Sequence, residues 1–247
     1  MLLENNTFPE DSRVRNEATS LAAAGYRITV VAPRGRGQPR HEVIGGVEVR
    51  RFRLRAASGG AAALIGEFLL ASSALNMTAI WALLRGADVL HLHNPPDTLF
   101  PAGWVARLAG RRVVFDQHDL APELVGARTS AGWAIPIARW CERRTFRVAS
   151  LVLSPNQSYA ELARLRGGKE PGDVVVVRNG PKADTLSRGA SIRPGPLADP
   201  RLVYVGAIAP QDDAEDLPAV LAFLRDRHGI NDAQLTIVGD GPSRGAV

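Results

Sequence analysis

The sequence predicts an α/β fold, a parallel sheet covered on both faces by helices. Three observations carry that expectation. Short β-branched runs alternate with segments of helical spacing along most of the chain. Glycine, proline or an Asn-Pro step ends many of the strand-like runs. A second β-α-β pattern begins after a proline-rich break at 181–200.

The elements follow in order. A short strand close to Met1 leads into the loop Asn5-Asn6-Thr7-Phe8-Pro9-Glu10-Asp11. Val14, Ala18, Leu21 and Ala22 then recur at helical spacing, with Asp11 or Ser12 as the cap and Gly25 closing the helix. Residues 27–32 read as a strand, stopped by Pro33 and Gly35. Residues 43–52 read as a hairpin turning near Gly45-Gly46. An apolar helix spans 61–84, and a short buried strand spans 88–93 up to Asn94-Pro95-Pro96. A helix at 98–108, a strand at 112–118, a helix at 136–148 and a strand at 151–154 come next. A helix at 157–165 and a strand at 174–178 complete a first domain, 1–180. Residues 181–200 contain four prolines and little apolar material, so they read as a linker. Beyond it lie strands at 201–206 and 234–239 around a helix carrying Leu217, Val220, Leu221 and Leu224. Two strands and one helix cannot bury both faces of a sheet, so 201–247 reads as the beginning of a second domain.

Composition narrows the function classes. With 45% apolar and 22% charged residues, the 247-residue chain is globular, not disordered or collagen-like. The single cysteine, Cys141, excludes an intramolecular disulfide framework and fits a reducing compartment. The net charge is +5, with 28 Arg against 2 Lys. That ratio reads as compositional bias. Eight arginines between Arg27 and Arg55 suggest nucleic acid, but a solvated basic face is the simpler reading, so no nucleic-acid partner is expected. That face can also meet an anionic membrane alongside the helix at 61–84, peripherally and at its cytoplasmic side. The acidic first residues do not form a secretory signal, and Glu67, Ser72, Ser73, Asn76 and Thr78 interrupt the apolar helix.

Ligands of open α/β sheets sit beyond the carboxyl ends of the strands. The residues there include Asn5, Asn6, His91, His93, Asp116, His118 and Ser154. Strand alternation points His91 and His93 to one face, and a neighbouring parallel strand brings His93 and His118 to one edge. His118 is expected at the lip of the sheet, facing a groove. A histidine there can serve as acid, base or hydrogen-bond donor, with carboxylates fixing its tautomer. His91 alone reads as a packed core histidine. Free N–H groups at the start of the first helix, with Arg13 and Arg15, favour an anionic ligand. His91, His93, His118 and Asp119 also offer ligand types for a metal, which keeps a metal-dependent hydrolase open as an alternative. No P-loop, Asp-x-Asp pair or Gly-x-Ser-x-Gly elbow is present, which disfavours P-loop NTPases, sites that hold a sugar-nucleotide metal on such a pair, and elbow hydrolases.

Several segments resemble, in order, those of family 4 glycosyltransferases of the GT-B fold. They are ENNTFPEDSRVRNEATSLAAAGYRITVVAPRG, ADVLHLHNPPDTL, VVFDQHDLAPEL, ERRTFRVAS, LVLSPNQSYAEL, VVVVRNGP, LVYVGAIAPQD and LTIVGDGP. The similarity is greatest to the branch that builds bacterial exopolysaccharides and other cell-envelope glycans. It implies two Rossmann-like domains, an amino-terminal one for the acceptor and a carboxyl-terminal one for a nucleotide sugar. It implies hexosyl transfer with retention, with no metal or other cofactor required, and a glycan or lipid-linked acceptor. His118 matches the family's active-site histidine. The resemblance assigns Asn6, Asp11, Arg13, His93, Asp97, Asp119 and Glu123 to the acceptor side. It assigns Gly206, Gln211, Gly239, Asp240 and Gly241 to the donor side. Two departures stand out. The loop after the first carboxyl-domain strand, Gly206-Ala-Ile-Ala-Pro-Gln211-Asp-Asp, has no basic residue, and the family's paired donor glutamates lie beyond the segment matched at 239–241. The expectation is a truncated transferase that is impaired alone, with a non-catalytic acceptor-binding fragment as the alternative.

Overall fold

The computed structural model describes residues 1–4, 6–53, 61–128, 132–180, 201–209 and 212–247. The chain divides into two compact units, Met1–Gly180 and Pro181–Val247. The 181–200 segment, read as a linker, lies outside the described residues.

The first unit is a parallel sheet built around its own amino terminus. Leu2 bridges in parallel to both Val31 and Leu92. Its N–H donates to the His91 carbonyl at 2.9 Å, and its carbonyl accepts from His93 N at 3.2 Å. Leu3 N donates to the Val31 carbonyl at 2.9 Å. Residues 1–3 thereby join two sets of strands. One is β1 (Thr29–Pro33), β2 (His41–Ile44) and β3 (Val47–Phe52). The other is β4 (Val89–His93), β5 (Arg112–Asp116), β6 (Leu151–Ser154) and β7 (Val174–Val176). The order is β2-β3-β1, residues 1–3, β4-β5-β6-β7. Pairing is parallel except between β2 and β3. That hairpin turns on Gly45 and Gly46, whose φ values of +56° and +80° suit a two-residue turn matching the strand twist.

Alternation along the strands feeds two cores. Leu3, Val30 and Ala32 pack with Val14 and Ala18 of α1 (Ser12–Ala23). Leu2, Val31, Leu90 and Leu92 pack with Leu75 and Ala79 of α2 (Ala61–Leu84), and with Ala102 and Ala106 of α3 (Phe100–Leu108). Both faces are thus covered, as a parallel sheet requires. Asp11 caps α1 by accepting from the N–H groups of Arg13 and Val14. The helix ends with Gly25 at φ +91°, and Tyr26 N reaches back to the Leu21 carbonyl.

The polar residues within α2 have structural partners. Asn76 Oδ1 accepts from Ala102 N at 2.9 Å and its Nδ2 donates to the Thr98 carbonyl at 3.0 Å, while Ser72 Oγ meets Thr98 Oγ1 at 2.6 Å. Asn76 Oδ1 thereby satisfies an N–H in the first turn of α3 that has no intrahelical partner. Among the described residues no helix is long and apolar enough to cross a membrane. α4 (Ala121–Arg128), absent from the sequence reading, packs on α5 (Ala134–Val148). α6 (Gln157–Gly167) follows β6. In the second unit, β8 (Arg201–Val205) and β9 (Gln234–Val238) pair in parallel, with α7 (Leu217–His228) between them in sequence.

Candidate active site

The carboxyl ends of β4 and β5 present a stack of imidazoles. The parallel register sets His93 beside Asp116. His91 and His93 leave β4 on the same face, and their rings stack with centroids 4.4 Å apart. His93 stacks in turn on His118 at 5.4 Å, with the planes 5° apart. His93 Nδ1 lies 3.2 Å from His118 Nε2.

Asp116 is the hub of this stack. Its Oδ2 lies 3.2 Å from His118 Nε2, 3.2 Å from His93 Nδ1 and 3.7 Å from His91 Nε2. Burial opposes ionisation of Asp116, but the facing imidazoles of His118, His91 and His93 outweigh it and hold the carboxyl well below the usual range. Burial pushes both inner rings down, His93 to about 3, so they are neutral at pH 7. Glu17 of α1 approaches from above, its Oε1 3.4 Å from His91 Nε2. Burial first, and then the neighbouring Asp116 charge, push Glu17 up to about 8.

Asn94 fixes the backbone after the strand. Its Oδ1 accepts from His118 N at 2.5 Å and Asp119 N at 3.1 Å, and its Nδ2 donates to the Asp119 carbonyl at 2.7 Å. This explains why β5 ends at Asp116, before the predicted 118. Gln117 N still bonds the Leu153 carbonyl, but the next N–H turns to a side chain.

A cavity of about 360 Å³ opens at this edge, between one side of α1 and the ends of β5, β6 and β7. Arg13, Glu17, Asp116, His118 and Arg178 are among its lining residues. The His118 side chain is only 5% exposed, yet it forms part of the wall. Arg13 is held by Asp11, with Nη2 to Oδ2 at 3.0 Å and Nε to Oδ1 at 3.3 Å. Burial works against the Arg13 guanidinium, but Asp11, and more weakly Asp119 and Asp116, keep it charged.

The other sequence-selected residues fall in different places. Asn6 is exposed and its Oδ1 accepts from Thr7 N at 2.8 Å. Asp97 is buried at the start of the turn before α3, away from the residues that line the cavity. Glu123 pairs with Arg166 on the surface. Gly206 follows β8, and Gly239, Asp240 and Gly241 follow β9. A Cβ on Gly239 would lie 1.9 Å from the Gly206 carbonyl oxygen, and one on Gly241 2.1 Å from that of Ile208, so glycine is required where these loops touch. Gln211 and Asn5 lie outside the described residues. Sequence reasoning missed Glu17, Asn94 and Arg178. Glu17 lies one helical turn after Arg13, a spacing that marks one face of α1.

Residues 11–180 match the glycosyl transferase 4-like domain. The chain belongs to that family. Solved GT-B glycosyltransferases share its fold. A trehalose-6-phosphate protein from E. coli, bound with UDP-2-fluoro glucose, matches at TM-score 0.65 and 16% identity, over 100% of this chain and 65% of that one. Sucrose-phosphate synthase from Thermosynechococcus elongatus matches at TM-score 0.61 and 18% identity, over 99% and 63%. A UDP-forming α,α-trehalose-phosphate synthase from Burkholderia vietnamiensis matches at TM-score 0.66 and 12% identity, over 99% and 64%. The chain therefore spans slightly less than two-thirds of the length of these structures. No curated protein sequence matches it.

Proposed function

We propose that this chain supplies the acceptor side of a retaining hexosyltransferase, together with the opening β-α-β unit of its nucleotide-sugar side. The acceptor is a glycan or a lipid-linked sugar in exopolysaccharide or cell-envelope assembly. One observation carries the reading: His118 forms part of a cavity wall with its Nε2 directed at a buried carboxylate. An ionised carboxylate only accepts hydrogen bonds, so the Nε2 facing it carries the proton. In the neutral ring Nδ1 is then a lone-pair acceptor, suited to a sugar hydroxyl at the site of transfer. Arg13, with Asp11 holding its guanidinium, adds a fixed positive charge on the same wall.

Asp119 contributes through the turn that Asn94 holds, and His93 through its contact with the His118 ring. Gly206, Gln211, Gly239, Asp240 and Gly241 would approach the donor nucleotide through backbone groups. In this reading basic side chains and helix ends, not a metal, stabilise the leaving diphosphate. The protein would act in the cytoplasm at the inner face of the plasma membrane. Support for that placement comes from α2, which exposes Leu69, Leu70, Met77 and Leu84, and from Arg50 and Arg85, each 4.7 Å from the Trp81 ring.

The test uses the full chain with a panel of nucleotide sugars and lipid-linked or glycan acceptors, with products read by mass spectrometry. His118→Ala is expected to lower transfer by about 100-fold or more. Calorimetric titration of each nucleotide sugar should give the same affinity for parent and variant. Equal transfer rates in parent and variant, or a parent that binds no acceptor, would refute the assignment; acceptor binding without nucleotide-sugar binding or transfer would favour the non-catalytic acceptor-binding fragment.

A further inference from the structure

The deepest part of the histidine stack is incompletely satisfied. His91 Nε2 and His93 Nε2 are both buried, and neither has a hydrogen-bond partner. Unpaired polar atoms in an interior are uncommon because each loses its water without compensation. Both atoms face carboxylate oxygens beyond hydrogen-bond geometry: His91 Nε2 is 3.4 Å from Glu17 Oε1 and 3.7 Å from Asp116 Oδ2, and His93 Nε2 is 4.0 Å from Glu17 Oε2.

Glu17, His91, His93 and Asp116 each offer one ligand atom, and the four atoms lie within 4.8 Å of one another. Two imidazoles and two carboxyl groups form a mixed nitrogen and oxygen donor set, which suits zinc and its first-row neighbours. Tetrahedral zinc with bonds of about 2.0–2.2 Å places its ligand atoms about 3.3–3.6 Å apart. Two of the distances above lie at or near that span. Glu17, whose side chain is 25% exposed at the cavity wall, can rotate to close the others. The same exposure gives an ion its route in. His91, His93 and Asp116 sit on adjacent strands in fixed register, so three of the four donors are held rigidly.

We propose that Glu17, His91, His93 and Asp116 bind one divalent transition-metal ion of the zinc class. The ion ties α1 to the ends of β4 and β5 directly behind His118. Its role is structural: it lies among its four ligands and is not needed to carry the charge of a leaving group. The site differs from the His91, His93, His118 and Asp119 set suggested by the sequence, because the rear pocket recruits Glu17 and Asp116 and leaves His118 at the cavity. It stands whether or not the chain transfers sugar.

The test is metal binding by the untagged full chain after chelation and dialysis. Titration with Zn²⁺ is expected to give one site per chain. Co²⁺ should produce the intense visible absorption of a four-coordinate site, and Zn²⁺ should bleach it. Glu17→Gln and His91→Ala are each expected to weaken Zn²⁺ binding at least about tenfold, whereas His41→Ala and His228→Ala should leave it unchanged. Circular dichroism of each variant reports whether it is folded, and the Co²⁺ spectrum of the parent stands even if His91→Ala is not. Absence of a stoichiometric site, a six-coordinate Co²⁺ spectrum, or equal affinity in a folded Glu17→Gln would overturn the proposal.

Discussion

Asp97 should make the first unit less stable as pH rises, and Asp97→Asn should remove that dependence. The carboxyl is 4% exposed, and neither oxygen has a hydrogen-bond partner. Burial is the main reason its pKa is pushed up from 3.8 to about 7; the nearby Asn94 amide opposes the shift, and the Glu142 and Asp119 charges add to it. Between those two values the folded protein keeps a proton that the unfolded chain has released. Stability therefore falls with increasing pH across that interval and levels off above it. The span corresponds to roughly 4 kcal/mol, an upper figure for one carboxyl. Asparagine has a similar shape and no charge. The variant should match the parent near pH 4 and exceed it by up to about 4 kcal/mol at pH 8.

Urea unfolding followed by tryptophan fluorescence measures this directly. All four tryptophans, Trp81, Trp104, Trp133 and Trp140, lie in the first unit, so the signal reports that unit. Subtracting parent from variant at each pH cancels the other titrating groups. A constant difference from pH 4 to pH 8, or a variant less stable at pH 8, would show that the carboxyl is not held protonated.

Two further outcomes follow from the geometry. Asn94→Ala removes a side chain that makes three hydrogen bonds to the backbone at His118 and Asp119, so unfolding should become easier by on the order of 2–4 kcal/mol, as urea midpoints would report. The chain should float with vesicles containing anionic lipid and remain behind with neutral ones, the attraction fading as salt is raised, because arginines flank the apolar residues that α2 exposes.

Residues that report their own backbone state were legible in the sequence. Gly45-Gly46 marked the hairpin, and the apolar run at 61–84 coincides with α2 from end to end. The Val30 and Val31 pair shows why strand position is easier to read than core membership. Both are apolar, yet one packs with α1 and the other with α2. Interactions across elements were harder to read. The spacing of 116 and 118 said nothing of Asn94, which takes the His118 N–H and ends the strand early. Glu17 looked like an ordinary helix-surface glutamate until the packing of α1 set it against two histidines from β4. Asp97, four residues beyond His93, looked like part of the same edge. The 3₁₀ turn that begins with it and the bond from Thr145 Oγ1 to its carbonyl place it beneath α5 instead. α4 has too short an apolar pattern to register as a helix; its packing against α5 supplies what periodicity did not.

His118 is restrained from three independent directions. Asn94 holds its backbone N–H, Asp116 meets Nε2, and the His93 ring covers one face. A side chain so held has little rotational freedom to lose when a ligand binds, and its tautomer follows from the carboxylate beside it. The residues that enforce this are themselves buried and come from adjacent strand ends, where parallel pairing fixes register to a single residue. A one-residue slip of β4 against β5 would move His93 from Asp116 to a neighbour and reverse the faces of both histidines. The apolar pattern of the strands forbids that slip, because the same step would carry Leu90 and Leu92 out of the core. Sheet packing and site geometry are thus one constraint, imposed by alternate residues of the same five-residue strand.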